Sequence, residues 1–413
     1  MSFPKMALFR QTFAANTVDD IETAVVTQLR ACEMASRIRP GQRIAVTGGS
    51  RGIANISTIT RLVVDAIRAA GGVPFIMPAM GSHGGATAAG QKEVLASYGL
   101  GEDDMGCPVE ATMEVVELGH LEDGTPILVN RLAHDADGIV VINRVKPHTS
   151  FRGSHESGIV KMLTIGLGCH RGATMAHAQG AQGLARLIPA LGEALLGRLN
   201  VIAGIALVEN AYDRTASVTA LRPEEFLPKE PHLLAEARVN MPQILARNID
   251  LLIVDEMGKN ISGTGMDTNV IGRMMLPGVK EPDEPGVARI FVRRLSARTH
   301  GNANGVGLAD VITKQLFDTI DFDATYANAF TSTFLNRAYI PIIKADDREA
   351  IAAMFEVLRI DDGARARVAR IVSTLDVEHI HLSEPLAQTS DHPDLQRMGA
   401  FEEMCFDESG SLV

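Results

Sequence analysis

The sequence predicts an α/β fold with two α/β domains, each with a mainly parallel sheet, and a cleft between the domains. Three observations support this prediction. The chain has 413 residues, the length of two or three average domains, and 46% of them are hydrophobic, which is enough to fill real cores. Short apolar runs alternate with segments whose apolar residues recur at helical spacing. Glycine-rich loops follow several of the apolar runs.

The first domain is expected over residues 1–246. Continuous apolar runs, typical of parallel strands that are buried on both faces, predict its strands. These strands are 43–46, 73–78, 127–129, 138–143 and 201–208, the last as a strand or a hairpin arm. Helical spacing predicts helices at 59–70, 87–98 and 187–199, and Thr87 is in position to cap the second of them. A charged, proline-rich stretch at 222–232 precedes a hinge that is predicted near Ala246.

The second domain is expected over residues 247–382. Its first strand is predicted at 249–255 and opens onto a glycine-rich loop that contains Lys259. Further strands are predicted at 288–293, 310–313 and 338–343, with a helix at 347–358. Residues 383–413 are expected to form a tail that packs back on the first domain.

The composition argues against several classes of function. The net charge is −11, from 39 basic and 50 acidic residues, tryptophan is absent, and aromatic residues total 4%. A nucleic-acid partner is therefore not expected, because phosphate contacts need a basic face and single strands need stacking rings. Four cysteines without a CxxC pair argue against zinc, iron–sulfur and disulfide frameworks. No apolar run has the length of a signal peptide core or a membrane span, so a cytoplasmic enzyme is expected, with its oligomeric state left open.

The first glycine loop, residues 47–53, resembles the dinucleotide loop of the short-chain dehydrogenases. That family also needs a tyrosine followed four residues later by a lysine, and none of the four tyrosines has one. A nicotinamide-dependent dehydrogenase of this class is therefore not expected. Two interpretations of the loop remain: a tight turn that packs a strand on a helix, or an anion-binding loop in which Arg51 faces a carboxylate or phosphate.

The stretch 143–168 is the most informative part of the sequence, because basic residues and two histidines follow a buried strand there. Lys161 lies between Val160 and Met162, and an amine in apolar surroundings has a lowered pKa and becomes a nucleophile. The alternative is a lysine that extends from a helix start to solvent. His177 lies sixteen residues further on, and a histidine among small residues is by itself more often a packing residue.

Four motifs in this order resemble those of the nickel-dependent lactate racemase family. They are Gly81-Ser82-His83, Lys146-Pro147-His148, the run from Ser157 through Lys161 to Gly166, and His177. The agreement extends over residues 43–180, and the region 249–273 resembles the start of that family's second domain. The chain departs from the family in two places. Glycines replace an Asp-rich turn before Arg51, and thirteen residues rather than ten separate His148 from Lys161.

The resemblance implies a racemase or epimerase of a 2-hydroxy acid, lactate-like or sugar-acid-like, that transfers hydride reversibly to a nickel-pincer nucleotide. Lys161 would carry this cofactor covalently, with Gly49 and Ser50 beside it. His177 would complete the coordination of nickel, as a neutral imidazole beside soft sulfur donors. The enzymes that make the cofactor would then be partners of the chain.

His83 and His148 match the two histidines that act as acid and base in that family. Hydride departure coupled to loss of the hydroxyl proton is easier than removal of the weakly acidic C–H proton. A base on each side is needed because the hydroxyl oxygen points oppositely in the two enantiomers, and histidine suits both directions. Arg51 is the predicted partner of the substrate carboxylate, and Lys259 is the predicted second contact.

The sequence leaves one alternative open. A protein of the same fold without the nickel cofactor could act as an isomerase, a lyase or a carboxylate-binding module through His83, His148 and Arg51. Four further residues have no assigned role: His155 and Glu156 in the longer segment, and His379 and His381, a pair on one strand face that is expected at the surface.

Overall fold

The computed structural model of the chain describes residues 2–49 and 52–413. It contains two compact units. The N-terminal unit is Ala14–Met241, and the C-terminal unit combines Met1–Phe13 with Pro242–Val413. This division differs from the expected boundary near Ala246, because the first strand of the chain belongs to the sheet of the C-terminal unit.

The strands are numbered in chain order. They are β1 Lys5–Gln11, β2 Arg43–Gly48, β3 Val73–Pro78, β4 Val115–His120, β5 Pro126–Asn130, β6 Gly138–Arg144, β7 Val201–Glu209, β8 Thr215–Leu221, β9 Ile249–Met257, β10 Val287–Leu295, β11 Val311–Thr313, β12 Ile342–Lys344, β13 Val368–Ile371, β14 His379–Ser383, β15 Leu395–Arg397 and β16 Glu402–Glu403.

The helices are numbered in the same way. They are α1 Ile21–Ala31, α2 Ile56–Ala69, α3 Ala88–Ser97, α4 Glu102–Met105, α5 Arg131–Asp135, α6 Ile159–Lys161, α7 Cys169–His177, α8 Gly180–Leu196, α9 Phe226–Asn240, α10 Thr268–Ile271, α11 Lys314–Asp318, α12 Phe322–Ser332, α13 Asp347–Val357 and α14 Glu384–Thr389. A π-helical turn, Met162–Gly166, follows α6. No helix of the described residues is long and apolar enough to cross a membrane.

The N-terminal unit is built on a sheet with the strand order β3-β2-β6-β7-β8, in which only β8 runs antiparallel. Its strands are buried on both faces. Ile205 of β7 belongs to the core that includes Val25 of α1 and Val63 of α2. The preceding residue, Gly204, lies toward the opposite face of the sheet. An added Cβ there would lie 2.4 Å from the ring of Phe226 in α9. The predicted α/β fold with mainly parallel sheets is confirmed.

Three parallel strands fix the position of the candidate site. β2, β3 and β6 run in the same direction and are neighbours in the sheet, so their carboxyl ends lie at one edge. The loops that follow them begin after Gly48, Pro78 and Arg144. Ligands of open α/β sheets bind at this edge.

Several predicted elements differ from the structure. The strand predicted at 127–129 is β5, which forms a separate antiparallel pair with β4 and lies outside the main sheet. The charged, proline-rich stretch at 222–232 contains the start of α9. The predicted cap of α3 is present, because the Thr87 hydroxyl accepts from the Gly90 N–H at 3.1 Å. Only the end of the predicted strand 338–343 is a strand, because a 3₁₀ turn occupies Leu335–Ala338.

The C-terminal unit is built on a mixed sheet with the order β12-β11-β10-β9-β13-β14-β1-β15. The first five strands are parallel, and β14, β1 and β15 follow in antiparallel pairs. β15 and β16 both pair with β1, and Leu412 is buried in the core of this unit. The tail was expected to pack on the first domain, residues 1–246. It pairs with β1, which lies in that range and belongs to the sheet of the C-terminal unit.

A buried ionic cluster holds the C-terminal unit together. The guanidinium of Arg293 is 2% exposed and donates to Asp347 at 2.8 Å and to Asp255 at 2.8 Å. It also donates to the carbonyl of Leu412 at 2.6 Å. The Leu412 N–H donates in turn to Asp347 at 2.8 Å. The last residues of the chain are therefore attached to the middle of the sheet.

Candidate active site

The loop after β3 presents His83 at the sheet edge. His83 precedes a 3₁₀ turn at Gly84–Ala86 and is exposed. The buried amide of Gln91 in α3 fixes this loop, because its Nε2 donates to the carbonyls of Gly81 at 3.0 Å and of His83 at 3.3 Å. Helix α3, which the sequence predicts, therefore fixes the backbone conformation at His83, the predicted acid–base residue.

The loop after β6 carries His148 and is organised by a buried carboxylate. Lys146 and Ser157 exchange two backbone hydrogen bonds, which close the loop at its base. The Glu156 carboxylate accepts from the His148 N–H at 2.7 Å and from the Gly153 N–H at 3.1 Å. Arg238 of α9 neutralises the same carboxylate at 2.6 Å. Glu156, whose role the sequence left open, thus holds the backbone of His148.

His155 has a packing role in the same loop. Its Nε2 lies 3.0 Å from the Leu227 carbonyl, and its Nδ1 lies 3.0 Å from the Ser154 hydroxyl. Burial lowers the pKa of His155 below the ordinary histidine value, and the hydrogen bond to Leu227 offsets this only in part. The side chain is therefore a neutral, satisfied group of the loop interior.

Phe151 contacts both His148 and Lys161. Its buried ring lies 4.4 Å from the His148 ring, measured between centroids, and its centroid lies 5.9 Å from Nζ of Lys161. The His148 Nδ1 accepts from the Ser150 N–H at 3.0 Å. Proton exchange between His148 and a substrate would therefore use Nε2.

Lys161 and His177 are electrostatically coupled. Lys161 ends α6, the π-helical turn follows it, and His177 ends α7. Burial, and then the Lys161 ammonium, lower the pKa of His177 to about 4. His177 is therefore neutral at pH 7, which is the form of imidazole that binds metals. π-Helical turns inside helices occur frequently at functional sites.

A second buried carboxyl supports the helix that carries Lys161. Glu230 of α9 accepts from the Val160 N–H at 2.9 Å, at the start of α6. Gly158 allows this approach, since a Cβ there would lie 2.4 Å from the Glu230 carboxyl carbon. Burial raises the pKa of Glu230 to about 7, although the backbone hydrogen bonds oppose the rise. Asn143 of β6 also donates to the Gly158 carbonyl, at 2.8 Å, so strand and helix are joined at this point.

Glycines bring the loops of the sheet edge against the π-helical turn. A Cβ on Gly49 would lie 3.2 Å from the terminal carbon of Met162. The Gly81 N–H donates to the Gly166 carbonyl at 3.2 Å, and a Cβ on Gly81 would lie 3.3 Å from Ala173 of α7. The loop that carries His83 thus contacts the π-helical turn after Lys161 and the helix of His177, and Phe151 joins the loop of His148 to Lys161.

The remaining predicted residues are placed differently. Ser50 and Arg51 lie outside the described residues. Lys259 belongs to the C-terminal unit, follows β9 as predicted, and donates from Nζ to the Gly263 carbonyl at 2.9 Å. His379 is exposed, as expected for a surface residue, whereas its strand neighbour His381 is half-buried.

Sequence reasoning missed the carboxyl groups that organise the edge. Besides Glu230, these include Glu209 at the end of β7, which pairs with Arg144 and accepts from the Ala54 N–H at 2.6 Å. Burial also raises the pKa of Asp213 close to this pair, with Glu209 adding to the rise. No sequence signal identifies these groups, because their partners lie 65 and 155 residues away along the chain.

The described residues contain no group of three or more His, Cys, Asp or Glu side chains that could hold a metal ion. A metal bound at His177 would therefore need donors from a cofactor.

Comparison with known proteins agrees with the motifs. Residues 10–183 match the family model of the lactate racemase N-terminal domain. The structure is similar to that of the lactate racemase apoprotein from Thermoanaerobacterium thermosaccharolyticum, with a TM-score of 0.51 and 14% sequence identity over 87% of this chain and 95% of that one. No protein with a curated description matches the sequence. Residues 10–183 therefore resemble the lactate racemase N-terminal domain in sequence, and the chain resembles the lactate racemase apoprotein in fold.

Proposed function

We propose that the protein is a racemase or epimerase of a 2-hydroxy acid that works with a nickel-pincer nucleotide. The observation that supports this most strongly is the electrostatic coupling of Lys161 to a neutral His177, in an irregular helical segment packed against the two histidine loops. A lysine and a neutral imidazole are the two groups that attachment of this cofactor requires. The N-terminal domain match supports the coarser assignment to racemase chemistry.

The residues present fit the cofactor. Lys161 would hold it through Nζ, and the His177 imidazole would contribute the protein ligand to nickel. Gly49 lets the backbone after β2 approach the same segment, because it has no side chain to occupy the space next to Met162. When bound, the cofactor would supply an acceptor for the hydride that leaves the substrate carbon.

His83 and His148 would move the hydroxyl proton. One imidazole would take the proton from the hydroxyl group of one enantiomer, and the other would return a proton to the oxygen of the planar keto acid as the opposite enantiomer forms. Glu156 and Gln91 support this role, because each fixes the backbone of one of the two histidines. The proposal assigns the substrate carboxylate to Arg51, with Lys259 as a further contact.

The test is co-expression with enzymes that make the cofactor, followed by intact-mass measurement, metal analysis and chiral chromatography of 2-hydroxy acids. Wild-type protein should carry the adduct and nickel and should interconvert enantiomers. Lys161→Ala should lack the adduct, and His177→Ala should lose nickel. His83→Ala and His148→Ala should keep both but lose about 10²-fold or more in rate, the usual contribution of one acid–base group.

The exposed His170 of α7 provides the matched control His170→Ala, which should keep adduct, nickel and rate. An adduct on Lys161→Ala protein would contradict the attachment site. Unmodified wild-type protein from the co-expression host that still isomerises a carboxylate would favour the same fold acting without nickel.

A further inference from the structure

The C-terminal unit exposes a large apolar surface around β12, which we call the β12 surface. Large apolar side chains are exposed on α12, on the 3₁₀ turn Leu335–Ala338 and along the chain into β12. The members are Tyr326, Phe330, Leu335, Tyr339, Ile340 and Ile342. Phe330 is 69% exposed and Tyr339 is 65% exposed, which is unusual for rings of this size.

These side chains follow one another from α12 to β12, whereas the exposed Ile343 points to the opposite face of β12 from Ile342. Tyr326 and Phe330 are four residues apart on α12, so they share one face of that helix. The helix packs on the 3₁₀ turn, and the turn leads directly into β12. β12 is the last strand of its sheet in the part of the chain that the structure describes, so one side of its backbone has no strand neighbour there.

The segment that carries the β12 surface has no exposed charged side chain of its own. Between Asp323 and Lys344 the sequence contains no acidic residue and no lysine. The one arginine of the segment, Arg337, is buried and 1% exposed. The whole chain has a net charge of −11.

The exposed area approaches that of a stable interface. The six side chains together expose the equivalent of about three complete large side chains. At about 200 Å² for each, the patch has an area on the order of 600 Å². The largest apolar patch of an ordinary monomer is about 300–600 Å², and a stable interface buries about 800 Å² on each partner.

We propose that the β12 surface binds the same surface of a second copy of this chain about a two-fold axis. Two copies that each carry a charge of −11 repel one another, so a segment without exposed charges of its own is where they can touch. A two-fold contact is made by one patch with itself, and an apolar patch is complementary to its own copy. A partner recognised through charge would find no exposed counter-charge in this segment.

The test is sedimentation velocity of the full chain over a range of concentrations and of salt. The expected species is a dimer of twice the 44.2 kDa chain mass at micromolar concentration. Higher salt should strengthen the dimer, because it screens the repulsion between the two copies and leaves the apolar contact intact. An interface of ion pairs would instead weaken with salt.

Phe330→Glu and Tyr339→Glu should each shift the protein to monomer by adding a charge at the centre of the contact. Both side chains are exposed in the single chain, so circular dichroism should show an unchanged fold, and Tyr339→Ser offers a milder change at the same position. Val239→Glu, at a 74% exposed apolar position in the N-terminal unit, is the control and should remain dimeric. A wild-type monomer at all concentrations, or a dimer that persists in both glutamate variants, would overturn the proposal.

Discussion

At the scale of single residues, the candidate site depends on carboxyl groups that lie far away in sequence. Glu230 caps the helix of Lys161 from 70 residues away, and Glu156 holds the backbone of His148 with help from Arg238. The positions of His83 and His148 could be predicted, because each follows a parallel strand and such strands end at one edge. Glu230 could not, because a capping contact between distant segments leaves no pattern in the local sequence.

Glu230→Gln is expected to stabilise the protein at alkaline pH. Burial raises the pKa of Glu230 to about 7, so the folded state keeps its proton while the unfolded chain releases it near the ordinary value of 4.5. Wild-type stability therefore falls as pH rises from about 4.5 to 7, by roughly 3 kcal/mol in all, and no further loss from this group occurs above that range. Glutamine has no proton to lose and can still accept from Val160.

The measurement is the difference in melting temperature between Glu230→Gln and wild type at several pH values. The difference should grow in favour of the variant between pH 4.5 and 7 and then stay level. Glu193→Gln, on the exposed face of α8, is the matched substitution elsewhere in the same unit. A difference for Glu230→Gln that does not change with pH would show that the carboxyl does not titrate in this range.

At the scale of elements, continuous apolar runs predicted the parallel strands well, since such strands are buried on both faces. β2, β3, β6 and β9 all begin at the predicted residue. The strands of antiparallel pairs were harder to find. β4 is only partly buried, and β1 alternates buried and exposed residues over a short stretch. The position of β1 is set by pairing with the distant strands β14 and β15, which the local pattern does not contain, whereas β4 pairs with the neighbouring β5 outside the main sheet.

Gly166→Ala is expected to destabilise the N-terminal unit through the contact between the π-helical turn and the loop after β3. A Cβ at this position would lie 2.5 Å from the Ala79 carbonyl and 3.0 Å from the Met162 sulfur. Backbone must move to accommodate it, at a cost of about 1–3 kcal/mol. The check is the melting temperature of the variant by circular dichroism.

Gly172→Ala is the control for this substitution. It lies in α7, where a Cβ would meet only Leu128 at 3.8 Å, so alanine should be neutral or slightly stabilising by its helix propensity. If Gly166→Ala melted as high as Gly172→Ala, the turn and the loop would not be in tight contact.

At the scale of the whole molecule, the fold class and the similarity to the lactate racemase N-terminal domain could be predicted, whereas the unit to which each end of the chain attaches could not. Arg293, in the middle of β10, binds both Asp347 and the carbonyl of Leu412 near the end of the chain. The sequence around Arg293 does not show which distant residues its side chain binds.

Arg293→Ala is expected to lower the stability of the C-terminal unit by about 3–5 kcal/mol, because it leaves Asp347 buried without its counter-charge. Denaturant unfolding with limited proteolysis of this unit would measure the loss. Lys280→Ala, which removes the exposed pair with Asp283 in the same unit, should change stability by about 1 kcal/mol or less. Equal effects of the two substitutions would show that the buried cluster contributes no more than a surface pair.

The position of β1 between β14 and β15 has a consequence for how the protein is made. On the ribosome, β1 emerges first, and about 370 residues must follow before β14 appears. At about 5–20 residues per second, this takes roughly 20–70 s. The N-terminal unit, a continuous stretch from Ala14, can fold during that interval, while the apolar face of Ala7 and Phe9 has no strand to pair with. Strand β1 is thus synthesised early but is among the last strands to pair. During translation it is the segment most in need of protection from aggregation.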